Sequence, residues 1–167
     1  IRDRVELVRD IRSTLGYIDG DFKTFAIDSG SKQFVSLTSI YNNYDYVLNL
    51  SALKHVRSEK DPFTLLRLIE VNILNTISSI NISQKMNASK YFCVSTDKAA
   101  NPINLYGASK LASDKIFIAA NNLSGTGGTR FSVVRYGNVV GSRGSVIPFF
   151  QRLIKEGAEH LPITDDR

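Results

Sequence analysis

Residues 91–110, YFCVSTDKAANPINLYGASK, read as an apolar strand, a turn at Asn101-Pro102 and the opening of a helix, and that order decides the fold. Tyr106 and Lys110 stand four residues apart, so a helix carries them on one face, one turn from each other. A lysine there lowers the pKa of the phenol and lets it take a proton from a substrate hydroxyl near neutral pH. Thr96, Asp97 and Lys98 follow the strand Tyr91–Ser95 at its C-terminal end, where open α/β sheets bind their ligands. A hydroxyl, a carboxylate, two amines and a phenol thus converge on one segment.

Working outward, strand and helix alternate. Val5, Val8, Ile11 and Leu15 make the apolar stripe of a helix that Gly16 stops. Phe22–Ile27 reads as a short strand, Gln33–Ile40 as a short helix and Asp45–Leu50 as a buried strand. Asp61 suits an N-cap and Pro62 the first position of a helix running to about Met86. Leu105–Asn122 continues the helix of Tyr106, Ser124–Thr129 is a glycine-rich loop, Phe131–Arg135 a strand and Val146–Glu156 a helix.

Strands joined by helical crossovers imply the α/β class and a Rossmann-type, doubly wound parallel sheet. The G-x-G-x-x-G turn that holds a dinucleotide pyrophosphate is missing from the sequence, because Gly125, Gly127 and Gly128 precede a strand instead of joining strand to helix. The expectation is a sheet that lacks its first βαβ unit. Residues 1–157 form a partial dinucleotide-binding domain, and 158–167 open a substrate lobe that is mostly lacking. In the order 3-2-1-4-5-6 the strands at 22–27 and 45–50 are not neighbours, so the sheet has a gap bordered by unpaired edges. The residues read as an internal piece of a longer enzyme, unable to hold the fold or turn over substrate alone.

Composition narrows the class. The chain has 167 residues, 43% hydrophobic and 22% charged, as in ordinary globular domains. The net charge of +5 comes from 21 Lys and Arg that are scattered and not striped with aromatics, so nucleic acid is not the expected partner. No apolar run approaches a membrane span of roughly 20 residues. Cys93, the one cysteine, lies inside a strand and reads as core. A cytoplasmic location is expected, and no His/Cys cluster has metal-ligand spacing.

The run STDKAANPINLYGASK, with SALKHV at 51–56 and VVRYGNVVGSRGSVIPFF at 133–150, resembles the extended short-chain dehydrogenase/reductases. Within them it is similar to the inverting UDP-N-acetylglucosamine 4,6-dehydratases of pseudaminic acid synthesis. That resemblance implies a UDP-sugar substrate, a bound NADP (or NAD) and an oligomer at full length. It makes Thr96, Asp97, Lys98, Tyr106 and Lys110 the catalytic set. Tyr106 takes the C4 hydroxyl proton, Asp97 protonates the departing C6 hydroxyl and Lys98 removes the C5 proton. Lys98, where retaining dehydratases carry glutamate, points to inversion at C5. The cofactor falls to Asp28, Ser51, Ala52, Leu53, Lys54, Tyr106 and Lys110. The sugar nucleotide falls to Lys98, Tyr106, Asn138, Arg143, Ser145 and Thr164.

Blander readings stand beside these. Asp28 before Ser-Gly also makes a plain turn or helix cap, Asn138 also stabilises a turn, and His55 reads as structural. A UDP-sugar 4-epimerase of the same superfamily would use Tyr106 and Lys110 without the Asp97–Lys98 pair. A non-catalytic dinucleotide-binding module is the third reading.

Overall fold

The computed structural model describes residues 2–16, 22–54, 61–141 and 145–163. Arg143, Thr164 and His55 lie outside the described residues. Among the described residues, three strands form one parallel sheet in the order β1–β2–β3, with β1 at Tyr46–Asn49, β2 at Lys90–Thr96 and β3 at Arg130–Tyr136. Six helices accompany them among these residues: α1 Arg2–Leu15, α2 Lys32–Ile40, α3 Pro62–Ile69, α4 Asn75–Lys85, α5 Leu105–Ser124 and α6 Val146–Lys155. The register sets Asn49 beside Cys93, and Thr96 beside Tyr136. The C-terminal ends of β2 and β3 therefore finish level.

The core lies between the sheet and helices α4 and α5. Tyr91, Cys93 and Ser95 alternate onto that face of β2, as a pleated strand requires. Tyr91, Phe117 and Phe131 meet edge to face or tilted, with Tyr91 and Phe117 centroids 4.6 Å apart. Ile80, Cys93 and Ala120 complete the cluster. The buried phenol of Tyr91 donates to Ser79 Oγ at 2.6 Å, and its burial pushes the pKa up to about 12.

Phe22–Ile27 does not become a strand; it joins no ladder among the described residues. A strand exists only where a neighbouring backbone supplies hydrogen bonds, and β1 pairs with β2. The segment is held through side chains. Phe25 lies 5.5 Å from the Tyr41 ring at the end of α2, and the Lys23 ammonium sits 4.5 Å over that ring.

Asp61 caps α3 as the sequence implies, accepting from Thr64 N at 2.9 Å, and Pro62 is the first helical residue. By length and composition the run Pro62–Lys85 could cross a membrane. Its buried stripe of Leu68, Asn72, Thr76, Ile80 and Ser83 instead faces the domain interior. A π-helical turn, Glu70–Leu74, joins α3 to α4 where the sequence reads as one unbroken helix. It carries Asn72, a buried amide that holds both backbone groups of Leu53 and the hydroxyl of Ser109. The Leu53 N–H donates to Asn72 Oδ1 at 2.9 Å, while Asn72 Nδ2 donates to Leu53 O at 3.1 Å and to Ser109 Oγ at 3.0 Å. Ser109 in turn donates to the Tyr106 carbonyl at 2.8 Å.

Helix α5 begins against the turn that follows β2. Asn104 caps it, accepting from Gly107 N at 2.9 Å. A Cβ on Gly107 would stand 2.6 Å from the Lys98 carbonyl oxygen, so only glycine permits this approach of helix to turn.

Two outcomes follow from this packing. Gly107→Ala should cost about 1–3 kcal/mol, because the clash is with backbone, and lower the urea midpoint. Asn72→Ala should cost about 1–3 kcal/mol through the unpaired Leu53 groups, and speed amide exchange at Leu53.

Candidate active site

The site is built where β2 ends. Thr96 is the last strand residue and caps the 3-10 turn Asp97–Ala99, its hydroxyl oxygen facing Lys98 N at 3.4 Å. The same hydroxyl donates to Asp97 Oδ1 at 2.9 Å. Lys98 Nζ lies 3.3 Å from that carboxylate oxygen, with both side chains about half exposed. These partners hold the Asp97 carboxyl below the usual range, Thr96 foremost and Lys98 next. Asp97 rests as a carboxylate in an ion pair that solvent can reach.

Tyr106, in the first turn of α5, is buried, and its side chain hydrogen-bonds Thr96. Burial is the largest influence on the phenol and pushes its pKa up; the Thr96 hydrogen bond opposes this, while Tyr136 and Asp97 add to it. The lowering expected from Lys110 is not what the structure gives. The Lys110 ammonium, 3% exposed, turns under the helix and donates to the Val94 carbonyl at 2.9 Å. That bond ties α5 to β2, and Lys110 is not among the groups that move the phenol. One helix face brings the two residues to the same side, but the ammonium directs a hydrogen bond to the strand.

Around this centre the sequence-derived positions divide. Thr96, Asp97, Lys98 and Tyr106 come together in one hydrogen-bonded group. The segment after β1 lies on the Leu53 side of Asn72. Ser51 donates through its hydroxyl to Asn49 Oδ1 at 2.7 Å, Leu53 is held through its backbone, and Ala52 and Lys54 are exposed. Asp28 is occupied as a turn former and ion-pair partner. Gly30 N donates to its Oδ1 at 2.9 Å and Arg67 pairs with its Oδ2, holding the carboxyl below its usual range. Asn138 is exposed just past β3. Ser145 precedes α6 as its N-cap residue, its buried hydroxyl without a partner among the described residues and making no cap bond.

The residues that fit a dinucleotide are those with small or backbone groups facing out, Ser51 and Ala52, and the Leu53 backbone pinned behind them. No group of His, Cys, Asp and Glu that could hold a metal occurs among the described residues. Asn72 escaped the sequence reading because an asparagine inside an apolar helix looks like a tolerated polar residue. Its only signal was a buried-stripe position, where a polar side chain needs partners.

A family described as "Polysaccharide biosynthesis protein" matches residues 23–167. The inverting UDP-N-acetylglucosamine 4,6-dehydratase of Campylobacter jejuni is 52% identical over 132 residues, which are 78% of this chain and 39% of that protein. A UDP-glucose 4-epimerase of Rickettsia rickettsii is 37% identical over 80% of this chain and 38% of its own length. The X-ray structure of Pen from Bacillus thuringiensis superposes with a TM-score of 0.78 at 32% identity, over 93% of this chain and 47% of that one. The chain spans about two fifths of the length of the curated relatives it matches. Matched from residue 23 to its last, it belongs to the polysaccharide biosynthesis protein family.

Proposed function

We propose that this chain carries the catalytic core of an inverting UDP-N-acetylglucosamine 4,6-dehydratase. The observation that supports the reading most is the Thr96–Asp97–Lys98 group beside Tyr106, an acid, an amine and a phenol within one hydrogen-bonded set. The 52% identity to the Campylobacter jejuni dehydratase supports the same reading.

The chemistry divides among these residues. Tyr106 receives the O4 proton as the sugar is oxidised at C4. A nicotinamide, NADP in preference to NAD, supplies the hydride acceptor at C4 and the donor at C6. Ser51, Ala52, Leu53 and Lys54 would line its path, with Asp28 toward the adenine and Lys110 bracing the helix beneath. The 4-keto group acidifies C5–H; Lys98 removes that proton once its own ion-pair proton has passed to the Asp97 carboxylate, 3.3 Å away, and Asp97 protonates the oxygen that leaves C6. Proton return to C5 on the face opposite Lys98 inverts that centre. Asn138, Arg143, Ser145 and Thr164 are assigned to the sugar nucleotide, and residues 158–167 to the start of its lobe. The same reading places the reaction in the cytoplasm, early in pseudaminic acid synthesis, in a protein that works as an oligomer.

The direct test is to incubate the protein with NADP⁺ and UDP-N-acetylglucosamine and to seek, by mass spectrometry, a product lighter by one water. If the chain alone is silent, the same assay on the protein at its full encoded length decides; silence there sinks the dehydratase reading. An epimerase would use Tyr106 and Lys110 as well, and Lys98 separates the two chemistries. Lys98→Ala should cut water loss by about 10²-fold or more, whereas C4 epimerisation would survive it.

A further inference from the structure

Helix α5 carries a carboxylate where its packing calls for an apolar side chain. Asp114 lies among the buried residues of that helix, with Lys110, Phe117 and Ala120, and is 1% exposed. Its Oδ2 accepts from Arg135 Nε at 2.8 Å, and the Arg135 side chain is 40% exposed. An ion pair drawn out of water in this way is a poor source of stability, because apolar residues of similar volume commonly hold a fold as well or better. What the pair offers is direction. Packed apolar side chains let a strand slide against a helix, whereas a charge-assisted hydrogen bond fixes both partners.

The place it fixes is the end of β3. Arg135 is the penultimate residue of that strand and stands beside Ser95 in the register. Near the start of the strand Asn121 serves likewise, through backbone. Its Oδ1 accepts from Phe131 N at 2.8 Å, and its Nδ2 donates to Phe131 O at 2.9 Å. Between these anchors α5 advances about 10 Å and β3 about 13 Å, so helix and strand run side by side in opposite directions, pinned twice. Lys110, one turn before Asp114, reaches the Val94 carbonyl on β2. The helix that presents Tyr106 is thereby tied to both strands toward their C-terminal ends.

We propose that Asp114 is a positioning residue for the sugar nucleotide: through Arg135 it fixes the end of β3, and with it Asn138, relative to the helix that carries Tyr106. This rests on the dehydratase reading above, which assigns Asn138 to that ligand. Asn138 is exposed and belongs to no helix or strand, so its place is inherited from the strand end just before it. The cofactor segment at Ser51–Lys54 has a separate anchor, Asn72. Loss of the Asp114–Arg135 pair therefore disturbs the sugar nucleotide and spares the dinucleotide.

The test uses the protein at its full encoded length. Asp114→Leu and Arg135→Met are made together, so that neither charge is left without its partner, and the urea midpoint should stay level or rise. The kcat/KM for UDP-N-acetylglucosamine should fall by about 10-fold or more, because small misplacements of reacting groups are costly. The Kd for NADP⁺ should not change. Equal losses toward both ligands, the mark of a merely structural role, overturn the proposal, and so does an unchanged kcat/KM. Should the double variant fail to fold, Arg135→Lys replaces it. That variant keeps both charges and loses only the Nε hydrogen bond; the same split is expected with smaller amplitude, and its absence overturns the proposal. If the unaltered protein releases no water from the substrate, the dehydratase reading itself fails. The positioning role is then judged by the Kd for UDP, which the double variant should raise about 10-fold; a UDP affinity that is absent or unaltered overturns it.

Discussion

The arrangement depends on one buried amide. Asn72 sits where the long helix loosens by a single π turn, and its side chain reaches both the backbone after β1 and the hydroxyl of Ser109 on α5. A buried amide left without partners costs roughly 1–3 kcal/mol, so its three hydrogen bonds act as a constraint and not as an ornament of packing. Through Ser109 the constraint extends to the Tyr106 carbonyl. A shift of the segment at Ser51–Lys54 is therefore felt at the start of α5. A regular helix would rotate Asn72 off this line, which is a physical reason for the π turn at a place without Pro or Gly.

The second constraint is the pairing of strand end and helix start. Level C-terminal ends of β2 and β3 put Thr96 and Tyr136 side by side, and Gly107 lets α5 begin in contact with the Lys98 carbonyl. Lys110 then fastens the next turn of that helix to Val94. The half-exposed ion pair of Asp97 and Lys98 is consequently displayed on a rigid frame. In such water-accessible pairs the stabilising contribution is small, and the interest of the pair is chemical.

Much of this was legible in the residues. Asp61-Pro62 marks its helix start by capping chemistry alone, and Tyr91, Cys93, Phe117 and Phe131 follow the periods of a half-buried strand and a core helix. The grouping of Thr96, Asp97, Lys98 and Tyr106 follows from a strand end, a short turn and one helical turn, all local geometry. What the residues concealed was non-local. The segment Phe22–Ile27 has strand composition, but pairing depends on a neighbouring backbone that composition does not report. Spacing placed Lys110 near Tyr106, yet a flexible four-carbon stem let its ammonium choose the Val94 carbonyl. The π turn left no mark because it needs no special residue, only the tertiary demand that Asn72 meets.

The buried sulfur of Cys93 gives the domain an internal reporter. It is the one thiol in the chain, 2% exposed, three residues before Thr96 on the same strand, and burial raises its pKa. The reactive thiolate is thus scarce in the closed molecule, and an alkylating reagent meets it only when the sheet parts from α4 and α5. The rate at which that single sulfur is capped would read the opening of the floor beneath the catalytic group, with no substrate present.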